Sequence, residues 1–255
     1  VRPTQHNFRR TQPGVALILL LSSSLALAEA EDDLGISALD DLSCLIEPSE
    51  TVELSSQQPG IVEGLLVERG DPVTQDQPLV QLAASVERAA VRLAEARQAF
   101  GLRKSERNLE LVQKELISSQ EKDEMDTELQ IATAELEEAR ARLALRTINS
   151  PITGVVIERY KAPGDYVGED PILKLLDVDP LNVEVIAPVA AWGLITPGMR
   201  AEVTTDVDGK RFEARVTIVD PALDPSSDTY GVRLSLPNPG NRIPAGLKCS
   251  IRFLP

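Results

Sequence analysis

Histidine is almost missing from this chain: the single one, His6, lies within the first ten residues. Imidazole is the commonest catalytic base and zinc ligand, so the rest of the chain can build neither chemistry in its ordinary form. Methionine is confined to Met125 and Met199, too few for a thioether metal site. Aromatic residues make up 3% of the chain, which argues against base-stacking platforms and large aromatic pockets. Positive charge is in deficit too, with 26 Lys and Arg against 40 Asp and Glu and a net charge of −14. A chain of that sign does not displace counterions from a nucleic acid backbone, so nucleic acid is not a partner. Carboxylates alone can do acid–base work, but no pair stands out from the acidic background. The composition points away from an enzyme.

What is present begins at the N-terminus. Arg9 and Arg10 precede the apolar run Val15–Ala28, which ends in Ala26-Leu27-Ala28. A basic start, a short apolar core and a small-x-small end are the pattern of a secretory signal peptide over residues 1–28. The run is short for a membrane span, and no cysteine follows for a lipid anchor. Its removal takes three arginines and no acid, so the remainder is more acidic still. Residues 29–40 are expected to be a linker.

One segment is written twice. "IVEGLLVERGDPVTQDQPLVQL" at 61–82 is echoed by "PITGVVIERYKAPGDYVGEDPILKL" at 151–175. Read by eye, Gly64, Glu68 and Arg69 match Gly154, Glu158 and Arg159. Four extra residues, Tyr160–Pro163, then precede the matches of Gly70, Asp71 and Val73 to Gly164, Asp165 and Val167. Omitting Gln77 brings Asp76, Pro78 and Leu82 onto Asp170, Pro171 and Leu175. Each copy reads as short strands broken at a Gly-Asp turn, too few to bury an apolar face alone.

Between the copies, residues 86–147 contain no proline and one glycine, Gly101, among strong helix formers. In the second half Met125, Leu129, Ala132, Leu136, Ala139 and Leu143 recur at alternating spacings of four and three, a heptad seam. In the first half Val86, Ala89, Leu93, Ala96 and Phe100 keep one frame, while Leu102, Leu109, Val112 and Leu116 keep another. A kink is expected at Gly101, where the frames meet. "SSQEKD" at 118–123 is the expected turn, with Ser118 and Glu121 spaced as a capping box. Arg140, Arg142 and Arg146 suit a helix C-terminus. Two arms of about thirty residues give a hairpin about 45 Å long. Its feet lie side by side, so a domain built from both copies can be opened by this rod without being pulled apart.

With those residues in view, the chain resembles the periplasmic adaptor subunits, or membrane fusion proteins of the HlyD/RND type, of tripartite efflux systems. The resemblance implies a mixed α and β fold: a split lipoyl-like (barrel-sandwich hybrid) domain with an inserted coiled-coil hairpin, plus a C-terminal antiparallel β-barrel. The expected boundaries are 41–56 for the first barrel strand, 57–85 and 148–177 for the lipoyl-like halves, 86–147 for the hairpin and 178–255 for the barrel. Asp208-Gly209 marks a barrel hairpin turn, and Trp192 is expected to pack rather than bind. The family's membrane-proximal domain has no counterpart before Pro255, so a shortened member is expected.

The resemblance implies a non-catalytic periplasmic linker, self-associated into a ring, between an inner-membrane transporter (RND-type) and a TolC-type outer-membrane channel. The alternative is a stand-alone coiled-coil scaffold. Channel-docking adaptors carry Arg, Leu and Ser at a spacing that "RNLELVQKELIS" meets with Arg107, Leu111 and Ser118. Ser118 can equally be a simple helix cap. No cofactor is implied, because lipoate or biotin carriers need a lysine on the turn that the hairpin replaces. The barrel's first and last strands can be neighbours, so Cys44 and Cys249 either form a disulfide after export or stay as two buried thiols.

Overall fold

The computed structural model describes residues 41–114 and 116–254, so the expected signal peptide and linker lie outside the described residues. It divides into two units: residues 47–182 with 237–246, and residues 41–46, 183–236 and 247–254.

The first unit holds the two copies. Its strands are β1 (Leu42–Leu54, from residue 47), β2 (Gly60–Leu65), β3 (Pro72–Val73), β4 (Pro78–Leu82), β5 (Thr147–Asn149), β6 (Gly154–Arg159), β7 (Tyr166–Val167) and the start of β8 (Leu173–Pro188). They run β5-β4-β2-β7 on one side and β1-β8-β6-β3 on the other. The short middle strand of each copy pairs with the first strand of the other: Gly60 opposes Val167, and Gly154 opposes Val73. Bulges fall at matching places, between Val62 and Gly64 and between Val156 and Glu158. The turns match as well. Gly70 and Gly164 both have φ of 95°, and each N–H donates to the other copy, to Val156 and Val62 at 2.8 Å. Only glycine takes that φ without strain.

This register corrects the alignment read by eye. Gly60 is equivalent to Gly154 and Val62 to Val156, so no insertion at Tyr160–Pro163 is needed and omitting Gln77 is the one adjustment. The Glu-Arg identities that anchored the earlier alignment are off-register coincidences. Buried pairs from the two copies, Val62 with Val156, Val73 with Val167 and Leu82 with Leu175, share one core. Fully burying such side chains stabilises by about 1.5–3 kcal/mol each, and each copy supplies half of them.

After β4 the chain enters α1 (Ser85–Gln113) and returns through α2 (Ser119–Ala144) to β5. Neither described helix is long and apolar enough to cross a membrane. The α2 seam is as expected, with Met125 and Leu136 buried and Leu129, Ala132, Ala139 and Leu143 half-buried. The α1 seam is not. Its inward residues are Glu87, Val91, Ala94, Gln98, Gly101, Ser105, Asn108 and Val112, one unbroken four-three repeat. Val86, Leu93, Phe100, Leu102 and Leu109 face solvent. No frame shift or break occurs at Gly101. It stays helical and faces Leu129, whose Cδ1 lies 3.3 Å from where a Cβ would stand. The glycine therefore serves close approach of the arms rather than a kink.

The second unit is antiparallel. Its order is the start of β1, β12 (Lys248–Leu254), β9 (Arg200–Thr205), β10 (Arg211–Val219), β11 (Thr229–Leu236) and the end of β8. Alternate residues point inward, as in Ala201, Val203 and Thr205. Cys44 and Cys249 stand directly opposite on β1 and β12 with Cα atoms 4.9 Å apart and are joined as a disulfide. Trp192 packs edge-on against Tyr230, ring centroids 5.0 Å apart, and the Tyr230 hydroxyl donates to Ala191 O at 2.8 Å. At the β9–β10 turn the Asp208 carboxyl falls to about 2, held by hydrogen bonds from Lys210 and Thr205.

Candidate functional site

The hairpin is an insert in the two-copy unit, and its foot fixes it there. Leu82 N–H donates to Arg146 O at 2.8 Å, tying the two entry points together. The Arg146 guanidinium reaches Glu87 at 2.5 Å and Pro59 O at 2.9 Å. That Glu87 carboxyl sits below the usual carboxylate range, first through a hydrogen bond with its own backbone and then through Arg146. The pair is mostly shielded from water, so it holds more firmly than an exposed ion pair.

Further out, ion pairs cross between the arms on both sides of the seam. Arg140 pairs with Glu95 at 3.0 Å, Arg97 with Glu135 at 2.9 Å and Lys104 with Glu128 at 2.6 Å. Arg142 bonds Glu138 on its own helix. The arginines read as matching the helix dipole are thus committed to individual carboxylates. Sequence reading missed the cross-arm pairs because they follow from the true frame of α1. With Val91 and Ala94 in the seam, Arg97 and Lys104 fall beside it, facing Glu135 and Glu128.

At the tip α1 ends at Gln113, and Ser119–Asp123, part of the expected turn, already belong to α2. Ser118 is the N-cap: its Oγ accepts from Glu121 N–H at 3.2 Å. Leu116 N–H donates to Leu111 O at 2.9 Å and closes α1. Arg107 and Leu111 lie one turn apart on α1 and share a side of it, both exposed. Arg107 makes no ion pair among the described residues. The structure therefore leaves a guanidinium and an apolar side chain open to contact beside the turn, with the Ser118 hydroxyl already engaged as a cap. Ser118→Ala should cost about 1 kcal/mol in a urea melt, and Ser118→Asp, which caps as well, should recover it. A null effect of Ser118→Ala would show that the cap carries no stability.

Among the described residues no three His, Cys, Asp or Glu side chains converge to hold a metal ion.

Comparisons with known proteins agree on the architecture. A family model described as "CzcB-like, barrel-sandwich hybrid domain" matches residues 50–176, and one described as "CusB-like, beta-barrel domain" matches 181–255. An uncharacterized Haemophilus influenzae protein is 29% identical over 213 residues, covering 82% of this chain and 56% of its own length. A Pseudomonas putida protein named "Antibiotic efflux pump periplasmic linker protein ArpA" is 25% identical over 212 residues, covering 76% of this chain and 57% of its own. The chain thus spans about half the length of the curated relatives it matches. Among solved structures, a MacA–MexA chimera carrying the Pseudomonas aeruginosa MexA α-hairpin superposes with a TM-score of 0.70 at 23% identity. That match covers 83% of this chain and 77% of the chimera.

Proposed function

We propose, from the premise that this chain belongs to the family of periplasmic adaptors, that it is a non-catalytic connector between an inner-membrane transporter and an outer-membrane channel. The observation that carries this reading is the hairpin itself. A two-copy body is opened by a rod whose α1 arm, 29 residues long, reaches about 43 Å and leaves Arg107 and Leu111 exposed beside its turn. A guanidinium gives charge-assisted hydrogen bonds to a carboxylate or carbonyl, and Leu111 fills an apolar notch. Docking of Arg107, Leu111 and the Ser118 hydroxyl on a TolC-type channel, an RND-type transporter at the other end and ring self-association complete the reading. The leader at 1–28 would deliver the chain to the periplasm.

Two measurements test it. Tagged protein solubilised from membranes should carry both a transporter and a channel; recovery of neither leaves a stand-alone scaffold. Arg107→Ala with Leu111→Ala should cut channel capture about tenfold or more, because anchoring Arg and apolar residues dominate contact energy. Both residues are exposed, so helicity and melting should not move. Full capture by the double variant refutes the docking assignment.

A further inference from the structure

The tip half of α1 buries its weaker face. Gly101, Ser105, Asn108 and Val112 face α2, and only Val112 among them offers a sizeable apolar side chain. One position further round, Leu102 and Leu109 stand 45% and 56% exposed. Residues 102, 105, 109 and 112 themselves repeat at three, four and three, the period of the seam, and Ser105 and Val112 belong to both sets. At 100° per residue, turning this half about its axis by about 50° puts Leu102 and Leu109 against Leu129 and Met125 in place of Gly101 and Asn108.

On that side of the seam the foot half has no second apolar face; its exposed Val86, Leu93 and Phe100 lie on the other side. The positions corresponding to Leu102 and Leu109 are Arg88 and Glu95, which pair with Glu63 and Arg140. Val91 and Ala94 are packed against Leu136 there. Gly101 stands at the border between the held half and the free one, where the absence of a Cβ makes a local change of twist cheap. Opposing contacts hold the seam that is seen: Lys104 to Glu128 at 2.6 Å, and Asn108 Nδ2 to Met125 Sδ at 3.1 Å. Exposed leucine on one side thus competes with satisfied polar contacts on the other.

We propose that the tip half of α1 alternates between two seams, the polar seam described here and a leucine seam, with Gly101 as the pivot. The turn carries Arg107 and Leu111 about 50° further from α2, from the side of the hairpin onto its outer face. The device would therefore regulate how the docking residues are presented, and this last step rests on the docking reading above.

Cross-linking rates in the purified full chain, native disulfide intact, test the two seams with a short bifunctional thiol reagent. Asn108→Cys with Met125→Cys reports the polar seam, Leu109→Cys with Met125→Cys the leucine seam, and Arg107→Cys with Met125→Cys the background. Both of the first two pairs should react at least tenfold faster than the third. Gly101→Leu, whose side chain meets Leu129, should shift reaction toward the Leu109 pair. Leu102→Gln should shift it toward the Asn108 pair. A Leu109 pair no faster than background overturns the proposal, and the chain without a biasing substitution decides this alone should Gly101→Leu fail to fold. No channel is present, so failure here leaves the docking reading standing. Unchanged capture by the Arg107 and Leu111 variant likewise leaves the two seams standing.

Discussion

Removing the disulfide by Cys44→Ala with Cys249→Ala should lower the melting midpoint of the unit that contains it by roughly 15 °C or more. The bond spans 205 residues of sequence and joins two nearly buried positions on the strands that begin and end the chain's described part. On the chain-entropy account a loop of that size contributes about 5 kcal/mol. If the two-copy unit stays folded while its neighbour melts, the effective loop is shorter and the figure falls toward about 3 kcal/mol. Alanine suits both sites, because a serine hydroxyl at these nearly buried positions would need its own partner. The check is a thermal melt of the double variant beside the parent, each with and without reductant. A parent midpoint that ignores reductant, or a double variant that melts with the untreated parent, would falsify the assignment of stability to this bond.

The second large effect separates two glycines that the internal symmetry makes equivalent. A Cβ on Gly154 would stand 2.1 Å from Leu176 O and 2.8 Å from Leu176 C, both backbone atoms of the neighbouring strand. Neither can move without parting β6 from β8, so Gly154→Ala should cost about 3 kcal/mol or more. Its counterpart Gly60 meets Arg146 Nη1 at 2.9 Å, the far end of a flexible side chain. Gly60→Ala should displace that guanidinium and give up its hydrogen bond to Pro59 O, for about 1 kcal/mol. Urea midpoints of the two variants should therefore differ clearly. Equal losses would mean that backbone contact is not what sets the cost at Gly154.

Much of the architecture is legible without coordinates. Two Gly-Asp turns ninety-four residues apart and a stretch nearly free of glycine and proline between them specify a split body with a helical insert. The α2 seam is readable because its apolar residues fall in one frame. The α1 seam is not, and the reason is physical. A two-helix hairpin buries a narrow strip, so it can place Gln98, Ser105 and Asn108 inside and leave Phe100 and Leu109 outside. Counting large apolar residues then selects the wrong face. The repeat register failed for a related reason: Glu68-Arg69 and Glu158-Arg159 are identical but not equivalent, because backbone pairing and bulges, rather than surface identities, set equivalence. At the tip, Ser118 was readable as a cap from Glu121 three residues on. The foot pair of Arg146 with Glu87 left no local signal, since 59 residues separate them.

The side-by-side feet of the hairpin make its length an independent dimension of the protein. The bond from Leu82 N–H to Arg146 O closes the body beneath the rod whatever stands above it. Seven residues added to each arm would lengthen it by about 10 Å and keep the same faces inward, since a heptad nearly completes two turns. Three or four added to each arm would instead leave the extension turned relative to the foot. The rod can therefore be lengthened in whole-heptad steps, like marks on a ruler, without redesigning either half of the core.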